Sequence, residues 1–143
     1  MGKQCSMEII KVIIKGESGF GPVVAAYKDR LEITKNAISY EFCPGKENKL
    51  DVLHRWSYKT DSLVFARIFD EIIEMLPRYL DSDEILMCSD MGSTTITVVY
   101  EDKTRRTESY YCPTEFFRGL FEKIRLLVPY TEPIPNVILL SED

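Results

Sequence analysis

The feature that most constrains the fold is a stretch of chain that returns with its hydrophobic skeleton intact. Residues 57–77 align with residues 109–129 at a spacing of fifty-two positions. Identical residues stand at six aligned pairs: Ser57 and Ser109, Tyr58 and Tyr110, Phe65 and Phe117, Phe69 and Phe121, Ile72 and Ile124, Pro77 and Pro129. Each copy reads as the end of a strand followed by an amphipathic helix that a proline ends. Two explanations of the repeat remain open. One is an internal duplication with units at 31–77 and 84–129, and the other is a pair of unrelated helices with the same period.

Alternation of apolar and polar residues predicts strands before both helices. The strand-like segments are 8–15, 23–27, 31–33, 38–42, 52–58, 85–88, 95–100 and 105–111. The last two flank a polar turn at 101–104, which is a strong hairpin signal. Consecutive strands with short links pair antiparallel, and the helical stripes must bury against one face of the sheet. We therefore predict an α+β fold, an antiparallel sheet of about six to eight strands with two amphipathic helices on one face, with tandem β-β-β-α units as an open alternative.

The helix limits and the C-terminal segment also follow from local signals. Thr60, Asp61 and Ser62 are all good N-cap residues, and Pro77 predicts the end of the first helix. The second helix is predicted over about residues 114–127. Segment 136–140 follows two prolines, so it is either a last edge strand or a segment that awaits a partner.

Length and charge exclude several classes of protein. A chain of 143 residues with 45% hydrophobic residues is typical of one domain, which we place at 8–143 after a flexible terminus at 1–7. The net charge of −5 argues against non-specific nucleic-acid binding. No apolar run approaches the ~20 residues that span a bilayer, and Lys11 and Lys15 interrupt the N-terminal apolar residues, so we predict a cytoplasmic protein. The cysteines at 5, 43, 88 and 112 lack metal-site spacing and are expected to be free thiols.

The first six residues fit the acceptor pattern for N-myristoylation. Gly2 would be exposed after removal of Met1, Ser6 stands at the required place, and Cys5 could carry a second acyl chain. This start resembles that of the myristoylated neuronal calcium sensors, but the chain has no calcium loop of their kind. An ordinary frayed terminus is the alternative to lipidation.

One pair of residues suggests covalent chemistry. Cys112 lies between a predicted strand and a helix N-terminus, where a thiol pKa can be lowered, and Arg118 follows six positions later. This spacing resembles the phosphate loop of the cysteine-dependent phosphatases, which implies a nucleophile at Cys112 and a phosphate-binding guanidinium at Arg118. Pro113 and Glu115 depart from that pattern. A redox-sensing thiol and a buried structural thiol are the alternatives.

Two further groups are candidate binding residues. His54, Trp56 and Tyr58 share one face of a predicted strand and could line a small-molecule pocket, although a lone histidine on an apolar face is more typical of the core. Lys103, Arg105 and Arg106 form the most basic part of the chain and could contact phosphate or protect a strand edge. Asp81, Asp83 and Asp90 lack the spacing of a cation loop and are expected to be solvated.

No acid–base pair, nucleophilic triad or metal cluster stands out, so we expect no cofactor and no metal. The sequence favours a non-catalytic intracellular interaction or regulatory module. It would bind a protein or peptide through an exposed sheet face, or through an edge near 95–111 or 136–140, and a homodimer is an open alternative. A cysteine-dependent enzyme or redox sensor using Cys112 with Arg118, and a small-molecule binder with a pocket near Trp56, are the competing hypotheses.

Overall fold

The computed structural model describes residues 8–18, 25–81, 93–111 and 116–140. These residues form an α+β fold with six strands and two helices. The strands are β1 Ile9–Glu17, β2 Tyr27–Thr34, β3 Ala37–Pro44, β4 His54–Lys59, β5 Ser93–Tyr100 and β6 Arg105–Tyr111. The helices are α1 Leu63–Leu80 and α2 Arg118–Arg125, and a short 3₁₀ helix spans Asn136–Ile138. The predicted strand at 85–88 lies outside the described residues.

All six strands form one antiparallel sheet in the order β4-β3-β2-β1-β5-β6. The predicted antiparallel sheet is confirmed, at the lower end of the expected strand number. The first strand in the chain lies in the middle of the sheet, between β2 and β5. The two outer strands are β4 and β6, and each is the strand that precedes a helix in the chain.

One hydrophobic core lies on one face of the sheet and contains the buried stripes of both helices. The strands contribute alternate residues such as Val12, Ile14, Leu31, Ile33, Ile96 and Val98, and the helices contribute Phe65, Phe69, Ile72, Leu76, Leu120, Phe121 and Ile124. The predicted helical stripes are therefore confirmed as core. Lys123 of α2 binds Glu71 of α1 at 2.8 Å, and this ion pair joins the two helices over the core.

Helix α1 begins as the sequence predicts and ends later than predicted. The Ser62 hydroxyl accepts a hydrogen bond from the Phe65 backbone N–H at 3.2 Å. The expectation that Pro77 ends the helix is wrong, because α1 continues to Leu80. Tyr79 and Leu80 are buried in the core, and Arg106 of β6 donates to the Leu80 carbonyl and pairs with Asp81, both at 2.7 Å. Proline cannot donate a backbone hydrogen bond within the helix. Burial and this cap compensate for that loss, so the last turn stays helical.

The C-terminal segment 136–140 is neither an edge strand nor an open segment, and both expectations are corrected. It forms the 3₁₀ helix and buries Val137, Ile138 and Leu140. The Asn136 backbone N–H donates to the Tyr40 hydroxyl at 3.1 Å, and that hydroxyl donates to the Asp29 carboxylate at 2.7 Å. A side chain at Gly16 would collide with Asp29, so glycine leaves the space in which the carboxylate lies. Contacts with residues that are remote in sequence therefore determine the conformation of this segment.

Burial dominates the electrostatics of this polar cluster. Asp29 and Tyr40 are only 4% and 6% exposed. Desolvation raises the pKa of Asp29, and the hydrogen bond from Tyr40 partly opposes that shift. Desolvation and the neighbouring carboxylate raise the pKa of Tyr40, so its hydroxyl remains a donor. The cluster ties the C-terminal segment to β2 and β3.

The predicted hairpin is confirmed, with β5 and β6 joined through a turn that is centred on Lys103. The Lys103 backbone has φ of 75°, a left-handed conformation that disfavours a side chain. The Asp102 carboxylate accepts hydrogen bonds from the Thr104 backbone N–H and hydroxyl, which hold the turn.

We expect Lys103→Gly to stabilise the protein. Glycine adopts φ near +75° without steric cost, and this gain exceeds its extra chain entropy, so the free energy of unfolding should rise by about 0.5–1 kcal/mol. Urea denaturation measures the change. Lys103→Ala is the matched control because it removes the charge and keeps the Cβ. Equal stability of the two variants would show that the left-handed backbone is not strained.

Candidate binding edge at strand β4

Strand β4 is an outer strand, and only one of its edges pairs with another described strand. Its partner is β3, with His54 opposite Phe42 and Lys59 opposite Ala37. The Thr60 N–H continues the ladder to the Asn36 carbonyl at 2.9 Å. Because hydrogen-bonded pairs alternate in an antiparallel ladder, the backbone groups of Arg55, Ser57 and Lys59 point away from β3. Three N–H and three C=O groups therefore form an open edge.

The inner face of β4 carries the predicted group His54, Trp56 and Tyr58. Trp56 is half-buried and packs beside Tyr40, with ring centroids 6.1 Å apart. His54 is exposed and Tyr58 is 43% exposed, so the expectation of a core histidine is wrong. The reason is position, because an outer strand lies at the margin of the layer that the helices cover. In the described part of the chain, the buried indole N–H of Trp56 has no hydrogen-bond partner.

The loop that precedes β4 exposes apolar side chains to solvent at the His54 end of the strand, and hydrogen bonds of Asn48 hold this loop in place. Asn48 is buried, donates to the Ala26 carbonyl at 2.8 Å and to Asp51 at 2.9 Å, and accepts from the backbone N–H groups of Leu50 and Asp51. The loop nevertheless leaves Leu50, Val52 and Leu53 exposed by 74%, 77% and 53%. A cavity of about 370 Å³ lies here, and its lining includes His54, Leu50, Val52, Ile134 and Leu139.

A second apolar groove lies at the Tyr58 end of the same strand. It has a volume of about 480 Å³ between the start of α1 and the segment that follows α2. Its exposed walls include Tyr58, Val64, Leu126 and Tyr130, of which Tyr130 is 98% exposed. Leu63, next to this groove in the chain, is 85% exposed. The two cavities thus contain His54 and Tyr58, which are about 13 Å apart along a strand.

On the outer face of the sheet, which also buries Ile13 and Val99, charged side chains of neighbouring strands pair with one another. Glu32 binds Lys11 at 2.7 Å and Arg30 at 3.2 Å, and the hydrogen bond from Lys11 holds the pKa of Glu32 below its ordinary value. At the β4 margin, Arg55 lies 3.8 Å from Glu41, whereas no described carboxylate lies within salt-bridge distance of Lys59. Positive charge therefore remains along the open edge.

The basic group at 103–106 does not form one patch. Lys103 lies in the hairpin turn, while Arg105 and Arg106 point to opposite faces of β6 because side chains alternate along a strand. Arg106 already contacts Asp81, Glu108 and the Leu80 carbonyl, and the hydrogen bonds that its guanidinium donates to Asp81 and Glu108 raise its pKa. A phosphate site at these residues stays a prediction, but Arg106 has a structural partner at the end of α1.

The other sequence-predicted sites are separated from this edge or are not described. Cys112, Gly2, Asp83 and Asp90 lie outside the described residues, and the Arg118 guanidinium is 3.8 Å from the Glu122 carboxylate. No group of three His, Cys, Asp or Glu side chains that could hold a metal occurs within 8–18, 25–81, 93–111 and 116–140. Of the helices that can be described, none is both long and apolar enough to cross a bilayer.

Sequence reasoning missed most of the exposed apolar residues. Leu63 and Val64 precede the buried stripe of α1 but do not share its spacing, and Leu126, directly after α2, falls between the core residues Ile124 and Leu127. These off-stripe positions are the signal that could have found them, since apolar residues outside a core stripe face solvent. Tyr130 and Leu50 stand in loops and carry no periodic signal.

Comparison with known proteins assigns this chain to no family. No protein family model matches the sequence, and the search of curated proteins found no match. One similar solved structure is an SsgA-like sporulation-specific cell division protein from Thermobifida fusca YX-ER1, 14% identical, with 87% of this chain and 86% of that chain covered. Its TM-score is 0.23, and nothing about function follows from it.

Proposed function

We propose that this protein is a non-catalytic interaction module of the cytoplasm that binds a protein or peptide segment along the β4 edge. One observation carries the proposal. Nine large apolar side chains among the described residues are exposed: Leu50, Val52, Leu53, Tyr58, Leu63, Val64, Leu126, Tyr130 and Leu139. Each of them lines one of the two cavities at the His54 and Tyr58 ends of β4 or adjoins a lining residue in the chain. Concentrated apolar surface next to polar surface is typical of a protein–protein contact.

The open backbone edge supports the same function. An extended segment can add to an exposed strand through main-chain hydrogen bonds, while pockets beside the strand receive alternate side chains. Strand β4 offers both features, with free groups at Arg55, Ser57 and Lys59 between the two cavities.

Selection from a random-peptide display library on the folded protein tests this function. We expect enriched peptides with apolar residues at alternate positions. Leu126→Ser combined with Tyr130→Ser should weaken their binding about tenfold or more, since exposed tyrosines often dominate contacts. Both positions are exposed, so the fold should tolerate the changes. Glu74→Ser on the solvent side of α1 is the control. Libraries that yield no binder, or binders indifferent to the double substitution, would contradict the proposal.

A small-molecule binder is the second candidate, and the cavity at His54 favours it. Its volume of about 370 Å³ and its mixed lining, with Asp51 and Asn136 beside apolar walls, are typical of ligand pockets. A thermal-shift screen of metabolites should then give ligands whose effect is lost in His54→Ala. Ligands that act equally on both proteins would argue against this pocket.

We also propose that the two strand–helix units arose by an internal duplication. Both outer strands precede a helix, and Glu71 and Lys123, which pair across the helices, are fifty-two positions apart. An alignment of relatives tests this origin, because a duplication predicts that the two units of some relatives are more alike in sequence than the two units of this chain.

A further inference from the structure

The charges on β4 suggest which kind of segment the edge would accept. This inference rests on the proposed function and concerns the chemistry of the partner. Arg55 and Lys59 share the outer side of the strand, and β4 contains no acidic residue. Among the described carboxylates, Glu41 lies within ion-pair distance of Arg55, at 3.8 Å, which is close to the limit for an ion pair. In a chain with a net charge of −5, this stripe is a local excess of positive charge.

The backbone fixes the register between these cations and an added strand. The free N–H and C=O groups belong to Arg55, Ser57 and Lys59, so hydrogen-bonded partners of an antiparallel strand would stand directly opposite these residues. Residues directly opposite on one face of a sheet interact, and opposite charges there are stabilising. The side chains of that strand opposite His54, Trp56 and Tyr58 would fall on the inner side, toward the two apolar cavities.

We propose that the β4 edge accepts an extended antiparallel segment in which two acidic residues, opposite Lys59 and Arg55, alternate with apolar residues. Written from the Lys59 end to the His54 end, the segment reads acidic, apolar, any residue, apolar, acidic, apolar. The acidic residues complement the outer cations, and the apolar residues lie toward the grooves beside Tyr58 and His54.

The same charges disfavour a second copy of this chain as the occupant. Pairing of two β4 strands would place two copies of Arg55 and Lys59 on one stripe, with no acidic residue supplied by either strand. Basic residues on an edge strand discourage pairing with neutral or basic strands. The basic residues thereby favour acidic partner strands, because both the repulsion of other strands and the attraction of acidic strands contribute to specificity.

Isothermal titration calorimetry with designed peptides tests this inference. The probe is the acetylated and amidated peptide Gly-Ser-Glu-Leu-Thr-Val-Glu-Leu-Gly-Ser. Matched peptides replace both glutamates by glutamine or by lysine, and a third carries N-methyl threonine opposite Ser57. We expect the glutamate peptide to bind about tenfold more tightly than the glutamine peptide, since two cross-strand ion pairs are lost in the latter. The lysine peptide and the N-methyl peptide should bind more weakly still.

Protein variants complete the design. Ser57→Pro removes an N–H that points away from β3, a change that an outer strand tolerates, and it should abolish binding while circular dichroism and melting stay unchanged. Ser57→Ala keeps the N–H and should bind as the parent does. Arg55→Glu combined with Lys59→Glu should invert the preference, so that the lysine peptide becomes the tighter ligand.

The outcomes separate the two proposals. If all three charge variants bind equally and Ser57→Pro abolishes binding, the acidic preference is overturned and edge binding stands. If none of them binds, the preference is overturned, and the display selection then decides whether the proposed function falls with it. Self-association in analytical ultracentrifugation that Ser57→Pro removes would also overturn it, because a second copy would occupy the edge.

Discussion

The Phe117→Ala variant is expected to unfold with a free energy about 3–5 kcal/mol below that of the parent chain. Phe117 is fully buried and lies within 5.4 Å, between ring centroids, of Tyr79, Tyr110, Phe116 and Phe121. Its removal leaves a cavity where β6, α1 and α2 meet. Helix α2 has only eight residues and no side-chain N-cap bond, so its stability comes from this packing.

Urea denaturation of the parent and the variant measures this loss, and Phe116→Ala is the matched control. Phe116 adjoins Phe117 but is half-buried, so its removal should cost clearly less. If Phe117→Ala fails to fold, Phe117→Leu gives a smaller cavity and a measurable intermediate value. A loss for Phe117→Ala no greater than that for Phe116→Ala would contradict the assignment of Phe117 to the centre of the core.

The second large effect is expected from Tyr40→Phe. The hydroxyl of Tyr40 joins the buried Asp29 carboxylate to the Asn136 backbone, and phenylalanine can do neither. We expect a loss of about 2–3 kcal/mol above the folded pKa of Asp29, because a buried charged acceptor there loses its donor. Hydrogen exchange at the amides of Ile138 and Leu139 should also accelerate, since the Asn136 contact helps to hold their segment.

This loss should depend on pH in a defined direction. Desolvation raises the folded pKa of Asp29 above its ordinary value of 3.8. The carboxyl group therefore favours folding most at low pH, and this contribution to stability is lost as pH rises through the folded pKa. The Tyr40 hydroxyl opposes the shift by stabilising the carboxylate. The cost of Tyr40→Phe should therefore be full above the folded pKa of Asp29 and should shrink as pH falls through it.

Chemical denaturation of both proteins across the acid range tests this dependence. Tyr130→Phe is the control for loss of a tyrosine hydroxyl, since Tyr130 is almost fully exposed. In an Asp29→Asn background the pH dependence of the Tyr40→Phe effect should vanish. A cost that stays constant from acid to neutral pH would show that Asp29 is not the group through which Tyr40 acts.

Much of the fold could be predicted because periodicity reports directly on burial. The stripes Phe65 to Leu76 and Phe117 to Ile124 are core in the structure, and the hairpin at 95–111 is where β-branched residues and a polar turn place it. Errors occurred where distant residues override local signals. Pro77 does not end α1 because Arg106 caps the helix one turn later, and 136–140 is not a strand because Tyr40 and the core hold it.

The candidate site was less predictable than the core. His54, Trp56 and Tyr58 were identified as a group, but whether their strand is central or outer depends on sheet order, which alternation does not encode. The apolar residues that flank β4 come from a loop, two helix ends and the segment after α2. Only the fold brings those four regions together, so no local pattern predicts the surface.

The central place of β1 has a consequence for the time order of folding. Lys15 pairs with Arg30 on one side but with Thr95 on the other, eighty residues later in the chain. Contacts between such remote residues slow folding, because a long loop must close before they form. On a ribosome, β1 to β4 would emerge while one edge of β1 still lacks β5. The unfinished sheet would then present the unpaired backbone edge of β1, and aggregation through that edge during synthesis is the hazard that this strand order creates.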